Sequence, residues 1–418
     1  MHGNNPLPII LIVLTVVLLL DWYVFQGIRV LTESLSSSAR MLVHGIYWGV
    51  NIIMPVVVVM GFISYGRTHQ MAPWQSWFFG IFITILITKL VFLIVMFGQD
   101  IYRLIAGGVN RIADSPNESG NYIPSRRKFV SQLAIGIAAI PFTSFIYGMV
   151  KGKYEYKVHK HTLYFPDLPA AFDGFKIVQI SDVHSGSFDD AQAVSKGVDM
   201  IKAQQGDVFV FTGDLVNNDA KEFEPWVEMF GSIKAPHGQY SILGNHDYGD
   251  YVSWPSPEAK IANLNHLKKL HADTGFRLML DEHIPLEKNG EKIYLMGIEN
   301  WGLGFGERGD LHKAISQVPH DAFKVLLSHD PSHWDAQAKN HEKHIHLTLA
   351  GHTHGMQMGV EIPGFKWSPV KYRYPKWAGV YEEAGRYINV NRGFGFIGFS
   401  GRVGIWPEIS VIELKRKA

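Results

Sequence analysis

The chain has 418 residues, 18% of them charged and 47% hydrophobic, with a net charge of +1. Such a balance offers no bulk attraction to nucleic acid, and none is expected as a partner. The absence of cysteine excludes disulfides, thiolate zinc sites and cysteine nucleophiles, while twenty histidines shift any metal site toward imidazole and carboxylate ligands.

In chain order, residues 1–150 read as an α-helical transmembrane bundle of about four spans, at about 6–26, 42–64, 76–98 and 129–150. Each approaches the ~20 residues that cross a hydrocarbon core. Pro55 and Pro141 fall inside spans, where neighbouring helices can satisfy the freed carbonyls. Lys89 falls mid-span, at a cost of roughly 2.5–3.5 kcal/mol on insertion scales. It is therefore expected to face other helices, in a structural ion pair with Asp21 or Asp100. Seven basic residues (Arg29, Arg40, Arg103, Arg111, Arg126, Arg127, Lys128) lie on one side of the spans. Five (Arg67, Lys151, Lys153, Lys157, Lys160) lie on the other. The positive-inside rule then puts both termini outside. The stretch Ser125-Arg126-Arg127-Lys128-Phe129-Val130 resembles a twin-arginine export signal, although an ordinary basic flank of a span reads equally well. Both readings put the following domain on the outer face.

Residues 151–170 read as a linker. Beyond them, short apolar runs at 175–181, 207–212, 240–243, 293–298, 323–328 and 346–350 are strand candidates. Helical periodicity appears at 189–204 and 258–272. Strands alternating with helices predict a layered α/β domain. Five of the strand candidates are followed by polar clusters: Asp182-Val183-His184, Gly213-Asp214, Gly244-Asn245-His246-Asp247, His329-Asp330 and Gly351-His352-Thr353-His354. In an open α/β sheet the carboxyl ends of strands line the ligand crevice, so all five are expected to converge.

These residue types suit hydrolysis of a phosphate ester. Two divalent cations ~3.5–4 Å apart acidify a water and clamp the phosphoryl oxygens. A bridging anion must hold them together, and Asp214 fits that part. The remaining donors would be oxygen and imidazole, which accept manganese, iron, zinc or nickel. His333, His341, His344 and His346 lie near the clusters without matching them and read as structural or solvated.

Taken in order over roughly 171–414, the clusters resemble the calcineurin-like metallophosphoesterases. Ser328-His329-Asp330-Pro331, the Gly-His-Thr-His-Gly-x-Gln run at 351–357, Asn391-Arg392-Gly393 and Pro407-Glu408-Ile409 are similar to the bacterial YkuE/YaeI-like branch, whose members are often exported or membrane-tethered. The resemblance implies a layered β-sandwich flanked by helices for 171–418. It implies one metal on Asp182, His184, Asp214 and His354 and a second on Asp214, Asn245, His329 and His352. His246 would contact the phosphate and protonate or stabilise the leaving oxygen, with Asp247 orienting its imidazole, and a metal-bridging hydroxide would attack. Met356 departs from the branch, which has a second glycine there. The expected protein is an integral component of a bacterial inner membrane, with its catalytic domain on the extracytoplasmic face. It would act on a phosphate ester, with a phosphodiester or a lipid-linked phosphate favoured. The alternative is a non-catalytic scaffold or sensor, although no ligand of the motif set is missing. The aromatic and basic stretch 363–377 and the glycine-rich stretch 393–406 would either line a lipid-facing wall or be ordinary packing.

Overall fold

The computed structural model describes residues 7–68, 73–112 and 124–417. The chain divides into two compact units, Met1–Tyr147 and Gly148–Ala418.

The first unit contains α1 (Leu7–Thr32), α2 (Ser37–Thr68), α3 (Pro73–Ile112) and most of α4 (Pro124–Val150). All four are long and apolar enough to cross a membrane. They run past the expected spans, α3 most of all at 40 residues. Leu20 and Val24 of α1, Phe92 and Met96 of α3, and Ala134 and Ala138 of α4 form a small interior, while residues such as Ile12, Ile94 and Leu104 turn their apolar side chains outward. That is the pattern of a bundle solvated by lipid. Lys89 resolves the choice of partner. Its ammonium meets the Asp21 carboxylate of α1 at 2.5 Å and also the Asn51 side chain of α2, whereas Asp100 takes the Tyr23 hydroxyl at 2.8 Å. One buried cation thus ties three helices together. The arginine-rich stretch lies in the first turn of α4, and the side chains of Arg126 and Arg127 are outside the described residues.

The second unit is a sandwich of two six-stranded sheets. In chain order its elements are β1 (Lys157–Phe165), β2 (Phe175–Ile180), α5 (Ala191–Lys202), β3 (Val208–Thr212), α6 (Val227–Gly231), β4 (Gln239–Ile242), α7 (Pro257–Thr274) and β5 (Arg277–Leu278). Then follow β6 (Glu282–Lys288), β7 (Glu291–Gly297), α8 (Leu311–Ile315), β8 (Lys324–Leu327), α9 (Ser332–Ala336), β9 (Leu347–Ala350), β10 (Val360–Ile362) and β11 (Phe365–Trp367). The last three are β12 (Gly379–Glu383), β13 (Arg386–Val390) and β14 (Glu408–Arg416). One sheet has the order β1-β14-β2-β3-β4-β5 and the other β12-β13-β9-β8-β7-β6, and β10 and β11 form a separate hairpin. Strands β2, β3 and β4 are mutually parallel, as are β7, β8, β9 and β13.

The central strands are buried on both faces, which is why they appear as continuous apolar runs. Ile177, Val208, Val210, Leu295, Val325 and Leu349 fill the space between the sheets. Val178, Ile180, Phe209 and Phe211 turn the other way to meet Val194 and Val198 of α5 and Leu267 and Leu270 of α7. Met296, Leu326 and Ala350 meet α8 and α9. Helix α7 starts where Ser256 accepts the Ala259 N–H and Pro257 follows. It ends at Gly275, whose φ of 83° is the left-handed stop.

The segment read as a linker, 151–170, instead carries β1, which runs parallel to β14 over its full length. Only Leu163 and Phe165 of β1 are buried. An edge strand of mixed polarity has no continuous apolar run to reveal it. The same holds for β6, whose Pro285 sits on an edge where a missing N–H is tolerated.

His271 of α7 supplies a test of the packing. Burial drives its imidazole down to about 3, and its only hydrogen-bond partner is the Ser241 hydroxyl at 3.0 Å. The unfolded chain takes up this proton near pH 6.5 and the folded one does not. Stability is therefore complete above pH 6.5 and falls as pH drops toward 3, by ~1.4 kcal/mol per pH unit from this residue. Tryptophan-detected thermal unfolding of the full chain should show His271→Leu losing less stability than wild type between pH 6 and pH 4. Parallel curves would contradict a neutral buried His271.

Candidate metal centre

The residues after β2, β3, β4, β8 and β9 meet at one end of the sandwich. Their backbone is unusual. Asp182, His184, Asp214, His352 and His354 all have φ between 46° and 68°, the left-handed region that side chains other than glycine seldom occupy. Contacts between loops hold them there. The Asp182 N–H donates to the Gly213 carbonyl at 2.8 Å, and the His184 N–H donates to the Asp214 carbonyl at 3.1 Å. The His352 N–H donates to the Asp182 carboxylate at 2.9 Å, and the His246 N–H to Asp214 Oδ1 at 2.8 Å. Gly244 allows the close approach, since a Cβ there would stand 2.2 Å from Asp214 Oδ1. Such strain persists only where the surroundings over-determine it, and it concentrates at functional sites.

The side chains form two groups whose ligand atoms lie within 4.8 Å of one another, Asp182–His184–His354 and Asp214–His329–His352. In the first, His354 Nε2 is 3.3 Å from Asp182 Oδ1 and 3.0 Å from His184 Nε2. In the second, His329 Nε2 is 3.2 Å from Asp214 Oδ2. Asn245 joins the second group, its Oδ1 being 2.8 Å from His352 Nδ1 while its amide donates to the Tyr251 hydroxyl. The structure thus brings together all seven residues expected as ligands, with the partly exposed His246 ring 4.9 Å from that of His184.

Neighbours outside the expected ligand set orient these rings. His329 Nδ1–H donates to the Thr212 carbonyl at 2.7 Å, which fixes the ring with Nε2 directed at the centre. His246 Nδ1–H donates to the Asn217 carbonyl at 2.8 Å, and the Asn217 side chain meets His184 Nδ1 at 3.1 Å. His352 Nε2 meets the Tyr374 hydroxyl at 2.9 Å, which in turn donates to Asp330 at 3.0 Å. The fully buried Arg402 guanidinium lies 3.3 Å from His354 Nδ1 and donates to the Gly393 and Gly395 carbonyls. Asn217, three residues after Asp214, and Arg402, a lone cation among glycines, were the visible signals for two of these.

One expected role is corrected. Asp247 does not orient the His246 imidazole. Its carboxylate accepts the backbone N–H groups of Asp214, Leu215, Val216 and Gly244 at 2.8–3.3 Å, which shapes the loop that presents Asp214. Its neighbour His246 points away to Asn217, because successive residues of the turn at 246–248 diverge.

The electrostatics favour a cation here. Burial opposes charge on His329, but Asp214 and Asp182 outweigh it and lift the imidazole to about 10. Burial likewise opposes charge on Asp214, and His329 and His246 hold it well below the usual carboxylate range. His329 Nε2 is buried, lacks a hydrogen-bond partner and faces two carboxylates. An orphaned imidazole nitrogen among carboxylate oxygens fits a divalent cation.

The rim divides the two aromatic stretches. Phe394, Phe396 and Phe399 are buried in the core, as are Tyr374 and Trp377, whereas Phe365 and Tyr372 are exposed. Arg392 pairs with Glu408, and Asn391 donates to Ser410 at 2.9 Å, so these motif residues pin β14 beneath the site. His333 and His346 are buried against Ser328 and Asp167 respectively. Met356 stands at a φ of 54° with its side chain half exposed, a position that glycine takes without strain. Met356→Gly should stabilise the fold by about 1 kcal/mol, the cost of a left-handed residue. Thermal unfolding checks this, and a lowered midpoint would mean that the methionine packs.

A two-sheet sandwich with a histidine- and aspartate-lined centre at the carboxyl ends of its strands defines an α/β domain with a candidate metal centre. Residues 175–356 match the family model described as calcineurin-like phosphoesterase. Residues 7–153 match the one described as probable calcineurin-like phosphoesterase, transmembrane domain. The chain belongs to the membrane-bearing calcineurin-like metallophosphoesterases. The family uses divalent metals, and four apolar helices make this member an integral membrane protein. It is 29% identical over 297 residues to the uncharacterized metallophosphoesterase YkuE of Bacillus subtilis, covering 70% of this chain and 98% of that protein. It is 25% identical over 293 residues to phosphodiesterase YaeI of Escherichia coli, covering 69% and 99%. A transmembrane protein with metallophosphoesterase domain from Danio rerio is 27% identical over 282 residues, covering 65% of this chain and 60% of that one.

Proposed function

We propose that the chain is a membrane-anchored, binuclear-metal phosphoesterase acting on phosphodiesters or lipid-linked phosphates. The observation that carries this reading is a single oxygen. Asp214 Oδ2 lies 3.5 Å from His184 Nε2 and 3.2 Å from His329 Nε2, members of two separate ligand groups. A carboxylate shared in this way suits a bridging ligand. Two divalent cations, when bound, supply an activated water and neutralise charge on the phosphoryl oxygens. Asp182, His184, Asp214 and His354 would hold one, and Asp214, Asn245, His329 and His352 the other. Manganese, iron, zinc and nickel all accept such donors.

His246 is the acid in this scheme. With Nδ1–H committed to the Asn217 carbonyl, Nε2 is the atom left to pass a proton to the leaving oxygen. The description of the Escherichia coli relative as a phosphodiesterase supports a diester, and the tether supports a substrate presented at the bilayer. The distribution of basic residues supports an orientation with the domain on the extracytoplasmic face. The test is hydrolysis of bis(p-nitrophenyl) phosphate and of lipid phosphates by the manganese-loaded full chain, measured against Asp214→Asn. Equal rates on every ester would overturn the proposal.

A further inference from the structure

The hairpin of β10 and β11 is exposed at every residue but Trp367, so its apolar face is as open to the surroundings as its charged one. Its register pairs Val360 with Trp367 and Ile362 with Phe365, which puts these four side chains on one face, and it pairs Glu361 with Lys366 on the other. In water the charged face should point outward. Here Glu361 turns in to the buried Arg392, and the Lys366 ammonium turns in to the Ala378 carbonyl and the Trp377 ring. Val360, Ile362 and Phe365 remain 44%, 58% and 54% exposed. The root is held firmly. The Gly359 N–H donates to the Val403 carbonyl at 2.9 Å, and Ser368 Oγ donates to the Gly355 carbonyl at 2.7 Å. A rigid base thus presents a small apolar blade, followed in the chain by the exposed Lys371, Tyr372 and Arg373.

We infer that this hairpin inserts into the interfacial layer of the bilayer, with Lys371 and Arg373 against anionic headgroups. Three observations select lipid as the occupant. The polypeptide carries its own four apolar helices, so a bilayer is always at hand. Aromatic and aliphatic side chains flanked by cations are the composition of an interfacial anchor. The face is also small: four side chains offer roughly 400 Å2 at most, about half of what one partner contributes to a stable protein interface. A second copy of the chain would therefore be held poorly by this surface.

The cysteine-free sequence makes the test direct. Phe365→Cys and, separately, Ile362→Cys would carry a fluorophore, as would Asn289→Cys in the exposed turn between β6 and β7 as control. The labelled full chains are placed in nanodiscs of phosphatidylcholine with phosphatidylglycerol, with and without nitroxide-bearing lipid. Quenching at 362 and 365 at least about twofold greater than at 289 is expected of an interfacial anchor. Equal quenching at all three positions would overturn the inference. So would copper-driven disulfide dimers of unlabelled Phe365→Cys formed without lipid quenching, which would assign the face to a second copy.

Discussion

Asp214→Ala removes hydrolysis of a chromogenic phosphodiester by roughly 1,000-fold or more, equivalent to about 4 kcal/mol of barrier, and removes bound metal with it. The Asp214 carboxylate is 2% exposed, and its Oδ2 is the oxygen common to both ligand groups. Among the described residues Asp182 is the nearest alternative, but it stands 4.0 Å from His329 Nε2 and is engaged with His354 at 3.3 Å and with the His352 N–H. Removing a buried charge from among imidazoles also threatens the fold. Asp214→Asn is the companion variant. It preserves shape and the contact with the His246 N–H while removing the negative charge. Metal analysis and turnover together decide the matter. An asparagine variant that kept two ions and full activity would exclude a bridging role.

His246→Ala separates chemistry from metal binding. Turnover should fall by roughly 100- to 10,000-fold, the range of a lost general acid, while metal content stays near wild type. The reason is positional. His246 belongs to neither ligand group, its ring is partly exposed, and its Nδ1 is spent on the Asn217 carbonyl. Equal metal loss in His246→Ala and Asp214→Ala would place His246 among the ligands instead. A leaving group of low pKa should also shrink the His246→Ala defect, since such a group departs without a proton.

Much of the centre was legible in the letters, and the reason is local. A strand buried on both faces must be continuously apolar, so runs such as 208–212 mark themselves, and polar residues at their ends mark the sheet edge. The edge strands β1 and β6 escaped because only alternate residues at part of their length are buried, which leaves no continuous apolar run. The stretch 393–406 was ambiguous because composition does not distinguish an aromatic ring facing lipid from one facing a core. Phe394 and Phe396 face the core.

The sequence by itself determined the kinds of donors, their order along the chain and the four apolar helices, since these follow from residue chemistry and from runs a few residues long. Tertiary structure alone decided what those donors do. It chose Asp21 over Asp100 for Lys89, turned Asp247 onto the backbone, and set Asn217 and Thr212 behind the rings of His246 and His329. It also forced five residues of the candidate centre into left-handed backbone that none of them favours alone. Each of those outcomes depends on a hydrogen bond or ion pair between segments distant in the chain, and such pairings are encoded only in the packed fold.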